Sequence, residues 1–263
     1  FVKGSRSVAK KMSNGVKFLL KKNKVDVING FGKLTKNKNV EVEGTDGKKT
    51  TYEVDNVILA TGARSRELPN IKIDGEKVIG YRKAMVLPEQ PKKMVVIGSG
   101  AIGSEFAYFY NAIGTEVILV EVFPNIVPNE DEDVSKQLAR SFKKNKIKIH
   151  TNASVEEVDT KGKKPVVTIK TKKGEEKVEC DVVLSAVGVA TNIENIGLEE
   201  LGIKTEKGKI LVDGYYKTNV DGVYAIGDIV HGPALAHVAS HEGIICVEKI
   251  AGMDVEPLDY NNI

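Results

Sequence analysis

The segment Gly98-Ser99-Gly100-Ala101-Ile102-Gly103 sets three glycines at the spacing G-x-G-x-x-G, directly after the apolar run Val95–Ile97. Each glycine has a separate task in a loop that carries phosphates. Gly98 permits the tight strand-to-helix turn, and Gly100 lacks a Cβ and so admits a pyrophosphate to the backbone. Gly103 lets the following helix pack closely on the sheet. A helix N-terminus behind such a loop offers free N–H groups and a positive dipole end. A second apolar run ends on Glu121. An acid there accepts hydrogen bonds from adenosine ribose hydroxyls and repels a 2′-phosphate. The next residues, Val122-Phe123-Pro124-Asn125, supply no Arg or Lys to welcome one. The pattern implies NAD rather than NADP.

The elements that must hold this loop are legible on either side of it. Phe106, Ala107, Tyr110 and Ile113 recur at helical spacing after the last glycine, and "EVILVE" reads as the next strand. Residues 131–144 predict a helix with acids in its first turn and lysines in its last. "IKIH" reads as a strand and "PVVTIKTKKGEEKVEC" as a hairpin turning at Lys173-Gly174. "DVVLSAVG" is a buried strand that ends at a glycine. Upstream, residues 5–22 carry Val8, Met12, Val16, Leu19 and Leu20 at helical spacing, and Val25–Gly30 reads as a strand. A hairpin follows across Asp46-Gly47, then the buried strand Asn56–Gly62. Ala63 to Pro91 reads as a polar connection. "GVYAIGD" is a third buried strand, and Ala236 to Ala251 a helix. Strands alternating with helices predict α/β architecture with inserted hairpins.

Composition excludes several other functions. The chain has 263 residues, and 39 basic against 36 acidic side chains leave a net charge of +3. That is far from the concentrated basic face that nucleic acid requires. The lysine runs at Lys21–Lys24 and Lys143–Lys146 read as solvated helix ends. No apolar run has the length to cross a bilayer, and no signal peptide is visible. Two cysteines, Cys180 and Cys246, make neither a disulfide scaffold nor a metal cluster and fit a reducing cytoplasm. His237 and His241 lack a third ligand, so no metal is expected.

The chain also repeats itself. Asp55, Val57, Ala60 and Gly62 recur in the same order and spacing as Asp181, Val183, Ala186 and Gly188, each set behind a glycine-turned hairpin. Duplication explains this better than chance. Only the second copy is preceded by a glycine-rich loop.

"VVIGSGAIGSEFA", "VILATGARSRELP", "LSAVGVATN" and "YAIGDIVHGPALAHVASHEGI" together resemble the two-dinucleotide flavoprotein disulfide reductases, the pyridine nucleotide-disulfide oxidoreductases. The resemblance covers essentially the whole chain. Within that family, "PALAHVASHEG" and the NAD-type acid resemble the members that oxidise dihydrolipoamide. The resemblance implies an α/β fold: a two-dinucleotide-binding (FAD/NAD), Rossmann-like, three-layer architecture with the FAD domain incomplete. It assigns residues 1–90 to a partial FAD domain, 91–213 to an NAD domain and 214–263 to a return to the FAD side. It also implies a homodimer whose partner is dihydrolipoamide on an acyl-carrier or lipoyl domain. Electrons would pass from dithiol through a disulfide and FAD to NAD.

By that resemblance Gly98, Gly100, Gly103, Glu121, Val155 and Gly188 match NAD contacts, and Glu105 matches the acid beside the nicotinamide. Ser99, Ala101 and Ile102 complete the NAD loop. Gly32, Thr61, Gly62, Asp228 and the run Ala234-Leu235-Ala236-His237 match FAD contacts. Four departures stand out. The family's FAD glycine loop and redox cysteine pair would lie before Phe1, and its His-Glu dyad past Ile263. Val189 stands where "G-R-x-P-N" usually carries an arginine. The expectation is therefore an internal segment with no catalytic residue of its own and no turnover. A nucleotide-binding module, or part of a related NADH oxidase or disulfide reductase, remains the alternative.

Overall fold

The structure, a computed structural model, describes residues 2–263. Helix α1 (Val2–Lys22) opens it. A meander of β1 (Phe31–Leu34), β2 (Val40–Glu43) and β3 (Lys49–Tyr52) leads into β4 (Val57–Leu59). Then come β5 (Ala63–Ser65), β6 (Val78–Ile79), the short helix α2 (Tyr81–Ala84), β7 (Lys93–Ile97), α3 (Ala101–Ala112), β8 (Glu116–Val120), α4 (Glu132–Lys144) and β9 (Lys148–His150). A second meander of β10 (Ser154–Asp159), β11 (Val166–Thr171) and β12 (Gly174–Glu179) leads into β13 (Val182–Ser185). The chain continues through β14 (Val189–Thr191), β15 (Thr205–Glu206), β16 (Lys209–Ile210), β17 (Val223–Ala225) and α5 (Ala236–Ile250).

The chain forms two compact units. One comprises residues up to Ser13 with Ser65–Val189, the other Asn14–Arg64 with Ala190–Ile263. The divisions fall at 64/65 and 189/190, where the sequence boundaries stood at 90/91 and 213/214. The reason is physical. Val78–Ile79 of the supposed connection is a sheet strand of the first unit, and Ile196, Leu198, Ile203 and Ile210 belong to the core of the second.

The first unit is built on a five-stranded parallel sheet in the order β6-β13-β7-β8-β9. Its central strands are continuous apolar runs because both faces are covered. Met94, Val96, Val182 and Leu184 face one way and pack with Ala107 and Tyr110 of α3 and Phe142 of α4. Val95, Ile97 and Val183 face the other way, onto Val155, Val167, Ile169 and Val178 of the antiparallel sheet β10-β11-β12. Helices, parallel sheet and meander make three layers. Asp131 caps α4 through the Asp133 N–H at 2.8 Å, and Lys143 and Lys144 close its last turn, as its charge pattern predicts.

The second unit pairs β4 with β17 in parallel, beside the meander β1-β2-β3. Its core joins Leu34, Leu59, Ile210, Val223, Ala225 and Ile229. Helix α5 buries Val238, Glu242 and Cys246 at helical spacing.

Three expectations need correction. Val25–Gly30 is not a strand, because no neighbour pairs with it among the described residues; the ladder begins one residue later, at Phe31 opposite Glu43. β6 lies inside the segment read as a connection, and β10 adds a third strand to the second hairpin. Helix α1 forms as its periodicity predicts, yet buries no residue, and Val8, Met12, Phe18 and Leu19 remain exposed. Among the described residues, no helix is long and apolar enough to cross a membrane.

Leu184 is fully buried at the centre of the parallel sheet. Leu184→Ala should cost about 2–5 kcal/mol in denaturant unfolding. Phe18→Ala, on the exposed face of α1, should stay within about 0.5 kcal/mol.

Candidate functional site

The glycine loop joins β7 to α3, and each glycine has a measurable reason. Gly98 lies at φ +93°, and a Cβ there would stand 2.5 Å from the carbonyl oxygen of Ala186. A Cβ on Gly103 would stand 1.9 Å from the carbonyl oxygen of Gly98 and 3.3 Å from the Ala186 Cβ. Helix, loop and strand end therefore meet backbone to backbone. Gly100 is the opposite case. It is the N-cap of α3, no side chain caps that end, and, its chain neighbours aside, no atom of the described residues lies within 4 Å of where its Cβ would be. The first turn of α3 faces open space with its dipole, the geometry that accepts a pyrophosphate.

The other residues singled out on this unit are arranged around that opening. Ala101 and Glu105 are exposed on α3, and Ile102 is half-buried on the helix-side core. Val155 is buried in β10, and Gly188 is exposed just past β13. Glu121, directly after β8, is only 5% exposed. Its carboxylate accepts the N–H and hydroxyl of Ser99 and the N–H of Phe123. The acid expected to face a ribose is thus tied to the loop itself, and Ser99 is fully buried with both of its donors spent on that acid.

In the second unit, Thr61 Oγ donates to the Asn192 carbonyl at 2.6 Å, and Asn192 donates back to the Thr61 and Gly62 carbonyls. Arg64 forks onto Glu194 with bonds of 3.0 and 2.7 Å. That guanidinium holds the Glu194 carboxyl below the usual carboxylate range. Gly32 sits within β1, opposite Val42. Asp228 lies in the short turn Gly227–Ile229, and its carboxylate bonds to none of the described residues. Ala234, Leu235, Ala236 and His237 are exposed at the uncapped start of α5. A free carboxylate beside an uncapped helix start suits a ligand bearing hydroxyls and phosphate.

The backbone of the Asp228 turn is held from two sides by residues that sequence reasoning missed. Lys209 Nζ donates to the Asp228 carbonyl, and the Gly227 N–H donates to Glu242 at 2.6 Å. Glu242 is 1% exposed and also accepts the Tyr260 hydroxyl at 2.7 Å; burial pushes that hydroxyl's pKa upward. One signal was available. Glu242 occupies the same helical stripe as Val238 and Cys246, a core position where a carboxylate needs partners.

A family model described as pyridine nucleotide-disulphide oxidoreductase matches residues 2–243. The chain belongs to this family. Its members work with FAD and NAD(H). The chain is 48% identical over 261 residues to a dihydrolipoyl dehydrogenase of Zymomonas mobilis, and covers 98% of this chain and 56% of that one. Against a dihydrolipoyl dehydrogenase of Rhizobium etli the identity is 43%, covering 98% of this chain and 57% of the relative. The crystal structure of LpdA from Mycobacterium tuberculosis superposes with a TM-score of 0.90 at 30% identity, over 98% of this chain and 57% of that chain. The chain spans about half the length of the curated relatives it matches. The α/β, Rossmann-like fold read from the sequence is the fold of this family.

Disulphide chemistry in such a family requires accessible thiolates. Cys180 and Cys246 are both free and buried. Burial is the main cause that pushes each thiol up to about 11. Near pH 8, neither should react with a thiol-labelling disulfide reagent in the folded chain, and both should react after unfolding in denaturant. The loop predicts a second contrast, in thermal unfolding. Gly103→Ala forces backbone apart and should lower the melting temperature sharply, whereas Gly100→Ala points into open space and should leave it nearly unchanged.

Proposed function

We propose that the chain is the nucleotide-binding part of a dihydrolipoamide:NAD+ oxidoreductase. The observation that carries this reading is the uncapped start of α3 at Gly100, with Glu121 at the end of the next strand. Two relatives bearing the name dihydrolipoyl dehydrogenase, at 48% and 43% identity, support the choice of reaction. In this reading the unit carrying Ser65–Val189 is the NAD domain. Gly100 and the uncapped α3 N-terminus take the pyrophosphate, and the close packing of Gly98 and Gly103 sets the turn that presents them. Glu121 meets the adenosine ribose, Val155 and Gly188 complete the walls, and Glu105 lies toward the nicotinamide. Thr61, Gly62, Asp228 and the Ala234–His237 turn line the FAD side.

Bound FAD and NAD supply the electron-transfer chemistry. The residues of this chain bind and orient. Asp228 accepts a hydroxyl of the flavin side chain, and Lys209 and Glu242 fix the backbone that carries it. A dithiol centre also needs a reactive thiolate and a base to generate it, and neither buried cysteine fits that role. The 263 residues are thus a binding module. Turnover belongs to a homodimeric whole enzyme that meets dihydrolipoamide on a lipoyl domain in the cytoplasm.

Fluorescence titration tests the nucleotide assignment. The chain should bind NADH in preference to NADPH, and Glu121→Arg should reverse the order. Equal affinity for both in the parent chain would defeat the assignment. In a coupled assay with dihydrolipoamide, NAD+ and added FAD, the chain should form no NADH. Steady formation that Cys180→Ser or Cys246→Ser abolishes would place the chemistry within these residues after all.

A further inference from the structure

Ser99 is a polar residue of the glycine loop that is closed to a ligand and bonded on every side to its own fold. It is 0% exposed. Its N–H and its hydroxyl both donate to the same oxygen of Glu121, Oε2, at 2.8 and 2.6 Å. Its carbonyl accepts the Val127 N–H at 3.0 Å and the Ser104 hydroxyl at 2.8 Å. No polar group of Ser99 is left to meet a pyrophosphate.

The geometry points to a different role: Ser99 is a positioning residue that sets the choice between NADH and NADPH by fixing the Glu121 carboxylate. This inference rests on the reading of the loop as an NAD site and says how that site discriminates. Glu121 is also clamped along its backbone, where its N–H donates to the His150 carbonyl at 2.8 Å and its carbonyl accepts the Ala153 N–H at 3.0 Å. On the side chain, Oε1 has a single partner among the described residues, the Phe123 N–H at 3.0 Å. Oε2 has two donors from one residue. A carboxylate oxygen offers about two acceptor sites, so Oε2 is filled and Oε1 keeps one open. A ribose hydroxyl therefore meets Oε1.

Fixing the acid matters most for the ligand it rejects. A 2′-phosphate beside a mobile carboxylate could be tolerated if the side chain turned away. A carboxylate held by three donors has no such freedom, and the repulsion between like charges stays in full. Removing the Ser99 hydroxyl removes the only side-chain donor among the described residues and leaves the two backbone N–H groups. The acid gains freedom, so NADH loses an aligned acceptor and NADPH loses part of its repulsion.

The test is a titration of the whole chain with NADH and with NADPH, for the parent, Ser99→Ala, Glu121→Gln and the double variant. Ser99→Gly serves as a second removal of the hydroxyl in a loop already rich in glycine. The preference for NADH should fall on the order of 10-fold in Ser99→Ala, the scale of one hydrogen bond to a charged group. In the Glu121→Gln background, the same change should leave the preference unaltered within about 2-fold, because coupled residues are not additive. Loss of affinity for both nucleotides by an equal factor, with the preference kept in Ser99→Ala and Ser99→Gly, would overturn the inference. A parent chain that binds neither nucleotide, or both equally, would instead overturn the NAD reading and the inference with it.

Discussion

The close approach of Gly98, Gly103 and Ala186 constrains everything else at the glycine loop. Three backbone segments, from the end of β7, the first turn of α3 and the end of β13, come so near that a single added Cβ would overlap a carbonyl oxygen. That contact fixes the angle at which α3 leaves the sheet. It therefore decides where the helix dipole points and which N–H groups face solvent. β13, far along the sequence, lies between β6 and β7 in the sheet. A strand inserted there brings Ala186 to the loop, and the fully buried Leu184 and Val183 anchor it on both faces.

Each unit handles its candidate ligand turn in the same physical way. A glutamate, nearly excluded from water, accepts a backbone N–H from the turn: Glu121 from Ser99, and Glu242 from Gly227. A buried carboxylate without partners would be costly, so each one recruits donors and in doing so immobilises the chain that supplies them. Stability and preorganisation are here the same bonds. The two meanders, each followed by a parallel strand ending near a glycine, extend the likeness and give structural substance to the repeat of Asp55–Gly62 in Asp181–Gly188.

Much of this was legible in the sequence because the signals were local. The runs of β7, β8 and β13 are apolar on both faces, α4 announces its ends by charge, and the three glycines have fixed spacing. What escaped was set by partners distant in sequence. Val78–Ile79 is too short to show a period and becomes a strand only because the edge of β13 is free to receive it. Val25–Ile28 has the right composition and no strand to pair with. β10 carries acids on its exposed side and was lost in a polar stretch. The resting partners of Glu121 were also invisible, since its position at a strand end says nothing of what its carboxylate meets before a ligand arrives.

The way the chain enters and leaves the glycine-loop unit has a consequence for its modularity. Inside that unit, the Arg66 N–H reaches the Gly188 carbonyl at 3.0 Å, so the two ends of the long segment meet. Inside the other unit, the Asn192 N–H reaches the Gly62 carbonyl at 2.9 Å, so the gap left by that segment is already nearly closed. Both halves of the junction are stitched independently. Removing residues 65–189 would ask only for a turn to bridge neighbouring strands, with little loop-closure entropy to overcome. Within each unit, the chain ends that flank the crossing are held together by that unit's own backbone.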